Sequence, residues 1–179
     1  MTDILLTPGE VGMVLQELAD KLESKFKTWE DIVFIGIRSG GEHVAEHLVR
    51  LMKKRLGREI PLGELDIALY RDDLSKRLFY PEVKKTSIPF DIEGKIVILV
   101  DDVLNTGRSV RAAIDHIVDL GRPRRIYLLV LFDRGGRELP IQADFTGKTI
   151  ELPSKKIIKI NVPDDTSKLG NVIITGVKK

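Results

Sequence analysis

The chain has 179 residues, enough for folding to bury roughly 70% of the unfolded surface, and it sets 29 Lys and Arg against 27 Asp and Glu. A net charge of +2 excludes a global polycation field that would drive the chain onto nucleic acid. The absence of cysteine excludes disulfides, thiol catalysis and thiolate metal sites.

Charge is unevenly spread, with 15 basic and 17 acidic groups in residues 1–100 and 14 and 10 after them, so a local basic face belongs in the C-terminal half. No apolar run approaches the ~20 residues of a membrane span. Met1-Thr2-Asp3 lacks the basic start of a signal peptide. A soluble, cytoplasmic protein of one domain, residues 1–179, is expected.

Thr7-Pro8-Gly9-Glu10 reads as a capping box with proline at the first helical position. Val11, Val14, Leu15, Leu18, Leu22 and Phe26 follow at helical spacing. Ile32–Ile37 is a continuous apolar run, which suits a strand covered on both faces. Arg38-Ser39-Gly40-Gly41 interrupts it, and a helix follows with Val44, Ala45, Leu48, Leu51 and Met52 inward, closed by Gly57.

Leu65–Tyr70 is predicted as the next strand. Residues 71–95 show no clear period, and so long an irregular stretch reads as a mobile flap. Ile96–Val100 is a third strand. A helix from about Gly107 to Gly121 is expected to bury Val110, Ala113, Ile114, Ile117 and Val118. Ile126–Phe132 is a fourth strand, and residues 140–179 hold short β pieces (149–152, 157–160, 172–175) read as a lid.

Alternating strands and helices imply an α/β fold, a mostly parallel sheet flanked by helices. Ligands in such sheets bind where strands end at their carboxyl side. The loops leaving those ends are 38–41, 101–107 and 133–137.

The middle loop is the most informative. An apolar strand runs into Asp101-Asp102, then Val103-Leu104-Asn105-Thr106-Gly107-Arg108-Ser109 opens a helix. Amides at a helix N-terminus, with the Thr106 and Ser109 hydroxyls, suit a phosphate. Two carboxylates would repel that phosphate directly and make sense as acceptors for vicinal hydroxyls, with a divalent cation moderating the charge. A sugar phosphate satisfies both halves. Neither a P-loop nor a dinucleotide fingerprint is present.

Residues 96–109 resemble the phosphoribosyl-pyrophosphate (PRPP) motif of the type I phosphoribosyltransferases. The likeness extends over almost the whole chain to the PyrR family, bifunctional pyrimidine operon attenuators and uracil phosphoribosyltransferases. Leu65–Lys76, with Tyr-Arg-Asp-Asp-Leu at 70–74, and Asp133–Ile141, with Arg-Glu-Leu-Pro at 137–140, carry it most specifically.

The resemblance implies a type I phosphoribosyltransferase fold with a small hood built from the chain ends, 140–179 included. It implies transfer of phosphoribose from PRPP to uracil, giving UMP and diphosphate, with Mg²⁺ carried by PRPP. Asp101 and Asp102 would take the ribose hydroxyls, residues 101–109 the PRPP 5′-phosphate, and Arg38–Gly41 the diphosphate. Arg71 on the flap is the candidate cation for closure over that diphosphate. Asp133, Arg134 and Ile158 would flank uracil. Family members form homodimers or homotetramers and regulate by binding pyr leader mRNA in response to UMP.

Two departures bear on those expectations. Purine enzymes of the superfamily generally have Asp where Asn105 stands, which argues for a pyrimidine here. RNA-binding members usually carry His at the position of Gly136, often Arg at Gln142 and Gly40, and His at Asp20. Arg137 and Lys148 remain as RNA-contact candidates. Fewer cations mean weaker phosphate-driven affinity.

His43-Val44-Ala45-Glu46-His47 matches the inverse zinc-protease pattern. The phosphate-type loop ahead of it points the helix elsewhere.

Overall fold

A computed structural model describes residues 3–70, 86–153, 155–161 and 169–176. The described elements are β1 (Asp3–Leu6), α1 (Pro8–Lys25), β2 (Ile32–Ile37), α2 (Gly41–Leu56), β3 (Leu62–Leu65), a 3₁₀ turn (Ala68–Tyr70) and β4 (Ile96–Leu104). They continue with α3 (Arg108–Leu120), β5 (Arg125–Asp133), β6 (Phe145–Thr149), β7 (Lys156–Ile160) and β8 (Val172–Gly176).

Five strands form a parallel sheet in the order β3-β2-β4-β5-β6, and β1-β8-β7 form a separate antiparallel sheet. The main sheet is covered on both faces, which is why β2 is buried at all six positions. Side chains alternate across it. Ile32, Phe34, Ile98, Val100, Leu129 and Leu131 join the core under α1 and α2, while Val33, Ile35, Val97, Leu99, Leu128 and Val130 join the core under α3.

The capping box at Thr7 and Glu10 is formed in both directions, with the Glu10 carboxylate accepting from the Thr7 amide at 2.8 Å. Gly57 ends α2 in the left-handed region at φ +66°, where only glycine is unstrained. Leu6, Ile158, Leu169 and Val172 belong to the larger core, so the small sheet docks on the same apolar mass as α1. The hood is thus made from both ends of the chain.

Four sequence expectations change. The strand expected at 65–70 lies at Leu62–Leu65, because Asp66 turns the chain there by accepting from the Ala68 amide (2.8 Å). Residues 86–95 are packed rather than flap-like: Ser87 exchanges both backbone bonds with Glu64 and Ile92 is buried in the second core. Residues 71–85, including Arg71, lie outside the described residues. The β piece expected at 149–152 lies instead at Phe145–Thr149, where it is the fifth strand of the main sheet, parallel to β5, and not part of a lid. Finally, Val118 of α3 faces outward at 60% exposure.

No described helix is long and apolar enough to cross a membrane.

Candidate active site

Strand β4 outruns its apolar stretch and carries Asp101 and Asp102 as its sixth and seventh residues. Pairing with β5 continues through Asp101↔Val130 to Leu104↔Asp133, and this holds the acids in the sheet rather than in a loop. Asp101 is buried, 7% exposed, the only charged residue so buried among the described residues. Burial, reinforced by the neighbouring Asp102 carboxylate, pushes its carboxyl well above the ordinary aspartate range. Burial pushes Asp102 upward as well. The Asp101 carboxylate accepts the Asp102 amide (2.9 Å), and that of Asp102 accepts the Val103 amide (2.7 Å).

The first loop lies directly on this pair. A Cβ on Gly41 would sit 2.3 Å from the Val100 carbonyl oxygen and 2.8 Å from Asp101 Cα. A Cβ on Gly40 would sit 2.4 Å from an Asp102 carboxylate oxygen. Glycine is what permits the approach. The Gly40 amide donates to the Glu42 carboxylate, and Glu42 adds negative potential at both aspartates. The Arg38–Ser39 peptide is cis. The Arg38 guanidinium pairs with Glu64 on β3, and its Nε is buried without a partner.

After β4 the chain turns through Asn105 and Thr106 to Gly107, which caps α3 at φ +89°. The first-turn amides of α3 have no acceptor within the helix. A cavity of about 220 Å³ opens here, lined by Asp101, Val103–Gly107, Ser109 and Val110. Arg108 and Asp102 are not part of that lining; the Arg108 side chain reaches Glu138 instead.

The loop after β5 closes the other side. Burial works upward on Asp133, but the Arg137 guanidinium and the Gly135 amide outweigh it and hold the carboxyl below its ordinary value. Arg134, expected beside the base, donates to the carbonyls of Lys156 (2.7 Å) and Pro153 (3.2 Å), tying the main sheet to β7. Ile158, expected at the base as well, is 5% exposed inside the larger core, where β7 and β8 alternation points it.

Arg137, expected to face RNA, turns inward onto five acceptors of the chain. Lys148 is exposed on β6. Gly136 has φ +73°, and a Cβ there would lie 2.9 Å from the Asn105 amide oxygen.

Sequence reasoning missed one contributor, Glu42, which joins the acid pair because α2 begins where the glycines touch β4. Away from the cavity lining, the ring of Tyr70 stacks on His116 at 4.3 Å, while His116 Nδ1 lies 3.0 Å from the Asp66 carbonyl. No spacing rule links residues so far apart in sequence. His43 and His47 form no metal cluster: among the described residues no group of three or more His, Asp or Glu is placed to hold an ion.

A family model described as phosphoribosyl transferase domain matches residues 2–165. Bifunctional protein PyrR of Thermus aquaticus is 46% identical over 160 residues, covering 89% of this chain and 88% of the relative. The chain belongs to the PyrR family of phosphoribosyl transferase domain proteins. Bifunctional protein PyrR of Chloroflexus aurantiacus is likewise 46% identical over 174 residues, 96% of this chain and 94% of that one.

Solved structures share the fold at lower identity. A hypoxanthine-guanine phosphoribosyltransferase of Bacillus anthracis aligns with TM-score 0.70 at 22% identity over 96% of both chains. The hypoxanthine phosphoribosyltransferase of Trypanosoma cruzi aligns with TM-score 0.69 at 18% identity, over 98% of this chain and 97% of that one. The PyrR-family chain thus has the phosphoribosyltransferase sheet, with its acid pair at the carboxyl end of the central strand.

Proposed function

We propose that this chain transfers the phosphoribosyl group of PRPP to uracil, forming UMP and diphosphate, and that the same nucleotide site makes it a UMP-responsive regulator of pyrimidine operon mRNA. One observation carries the reading: a strand that sets buried Asp101 beside half-buried Asp102 and then runs into a glycine-capped helix, in a chain 46% identical to bifunctional PyrR proteins.

In this reading Asp101 and Asp102 accept hydrogen bonds from the ribose 2′ and 3′ hydroxyls. The turn 105–109 receives the 5′-phosphate on its amides and on Thr106 and Ser109. Residues 38–41 face the diphosphate. The bond from ribose C1 to the diphosphate oxygen breaks as uracil N1 bonds to C1, and the N1 proton leaves to solvent. Mg²⁺ carried by PRPP would supply neutralisation of charge on the departing diphosphate, and Asp101 and Asp102 are the residues that would meet the Mg–PRPP complex.

Positive charge develops on the ribose in the transition state, and two carboxylates fixed by the sheet stabilise it without reorganising. Asn105 at the head of the turn offers no carboxylate to take a purine proton, which favours uracil, whose N1–H is acidic enough to dispense with one. Asp133, held ionised by Arg137, stands on the base side. Arg71 remains the candidate for closing over the diphosphate.

A single domain spanning residues 1–179, assembled as a homodimer or homotetramer in the cytoplasm, completes the reading.

Initial-rate release of diphosphate from PRPP and Mg²⁺ with uracil, hypoxanthine, guanine or orotate tests the enzyme. Turnover confined to uracil is expected, and Asp101→Asn should abolish it. Turnover with a purine but not uracil would overturn the assignment. Gel shift of a pyr leader hairpin across a salt series tests the regulator; RNA binding unaffected by UMP at low salt would remove that half.

A further inference from the structure

We propose that Arg137 is a positioning residue of the nucleotide site, its guanidinium stapling the phosphate turn after β4 to the base-side turn after β5. The inference rests on the site assignment above.

Its Nη1 lies 2.8 Å from the Asn105 carbonyl oxygen, 3.3 Å from that of Gly135 and 3.4 Å from that of Leu104. Its Nε donates to the Ile141 carbonyl at 2.9 Å, and its Nη2 pairs with the Asp133 carboxylate. One side chain therefore spans residues 104, 105, 133, 135 and 141. The arrangement uses the fixed fork of guanidinium donors, which an ammonium cannot reproduce.

The consequence for the phosphate follows from peptide planarity. In a trans peptide the carbonyl of one residue points opposite to the amide of the next. Holding the Leu104 and Asn105 carbonyls on Arg137 thus aims the Asn105 and Thr106 amides the other way. The next peptide is held by the same segment, because the Glu138 and Leu139 amides donate to the Thr106 carbonyl at 3.0 and 3.2 Å. That fixes the Gly107 amide. Three successive amides of the turn lining the cavity are oriented by residues 137–139. The same fork keeps Asp133 ionised on the base side.

The staple also separates this chain's Arg137 from an RNA contact. An arginine committed to five internal acceptors reaches an external phosphate only by releasing the turn. Arg137 thus acts on the nucleotide through Asn105, Thr106, Gly107 and Asp133, without touching it.

The test compares Arg137→Lys and Arg137→Gly with wild type, using UMP titration calorimetry and initial rates against PRPP. Both variants should raise the UMP Kd and the KM for PRPP by about ten- to a hundredfold. They should lower kcat far less, since the 5′-phosphate is remote from the breaking bond. Methylguanidinium added to Arg137→Gly should restore part of the affinity, an effect that general loss of stability does not produce. Arg137→Lys keeps the stem and charge and serves alone if the glycine variant does not fold.

Unchanged Kd and KM in either folded variant would overturn the inference. So would equal losses in kcat and affinity with no guanidinium rescue. Failure of wild type to bind UMP would instead sink the site assignment, and this inference with it.

Discussion

Gly41→Ala probes the contact on which the whole site depends. The added Cβ would lie 2.3 Å from the Val100 carbonyl oxygen and 2.8 Å from Asp101 Cα, where real Cβ contacts essentially never fall below 3.0 Å. Both obstructing groups are backbone of the central strand β4, hydrogen-bonded to β2 and β5 on either side, so neither can rotate away. The first loop and the N-terminus of α2 must therefore move off Asp101 by most of an ångström.

Overpacking of this kind costs about 1–3 kcal/mol, or roughly 2–12 °C of Tm for a domain of this size. With the roles proposed above for residues 38–41 and for Asp101 and Asp102, a ~1 Å displacement of the one against the other should cost about a hundredfold in kcat/KM. Thermal melts and diphosphate-release rates measure the two effects. Gly12→Ala is the control: it sits inside α1 with nothing within 4 Å of its added Cβ, and should stabilise by about 0.5–1 kcal/mol. If Gly41→Ala melts with wild type and keeps its kcat/KM, the close approach is wrong and the loop does not rest on β4 as described.

Two further outcomes are expected. Burial raises Asp101 above its ordinary value of 3.8, so above that pH the native state retains a proton that the unfolded chain has released, and this group's contribution to stability falls as pH rises through the window up to its native pKa. Asp101→Asn removes the dependence, so the Tm of the variant minus that of wild type should grow more positive with rising pH; a flat difference would refute a raised pKa. Thr7→Ala should cost about 1 kcal/mol by removing the α1 cap, read as a shifted denaturant midpoint at unchanged m-value, and no shift would mean the Thr7–Glu10 box is not formed in solution.

Legibility followed the range of the interactions. The α1 capping box lies within four residues and was readable from Thr7 and Glu10 alone. Buried strands β2 and β4 were readable because a strand covered on both faces must be apolar throughout. The start of α3 at Gly107 and its anion-ready turn were likewise local. The PyrR-family motifs at 70–74 and 137–140 are continuous strings, so the family resemblance is legible in the sequence itself.

What failed was decided at a distance. Residues 145–149 read Phe-Thr-Gly-Lys-Thr, with a single large apolar side chain, and only pairing along the edge of β5 makes them the fifth strand. Val118 fits the helical period of α3, yet it faces outward while Ile117 beside it is fully buried. Distance also set two placements that no local pattern shows: the hood's pairing turns Ile158 toward the core, and Arg134 reaches the Pro153 and Lys156 carbonyls.

The amino-acid order by itself determined the helices, the central strands, the acid pair and the glycine-capped turn ahead of α3, because each is encoded by spacing over a few residues. The tertiary structure alone decided that Gly40 and Gly41 rest on Asp101 and Asp102, that Glu42 joins them, and that Arg137 faces inward. Those relations exist only once parallel crossovers bring three strand ends to one edge. A side chain's partners are then set by which backbone carbonyls that edge leaves within reach, and no period in the sequence records them.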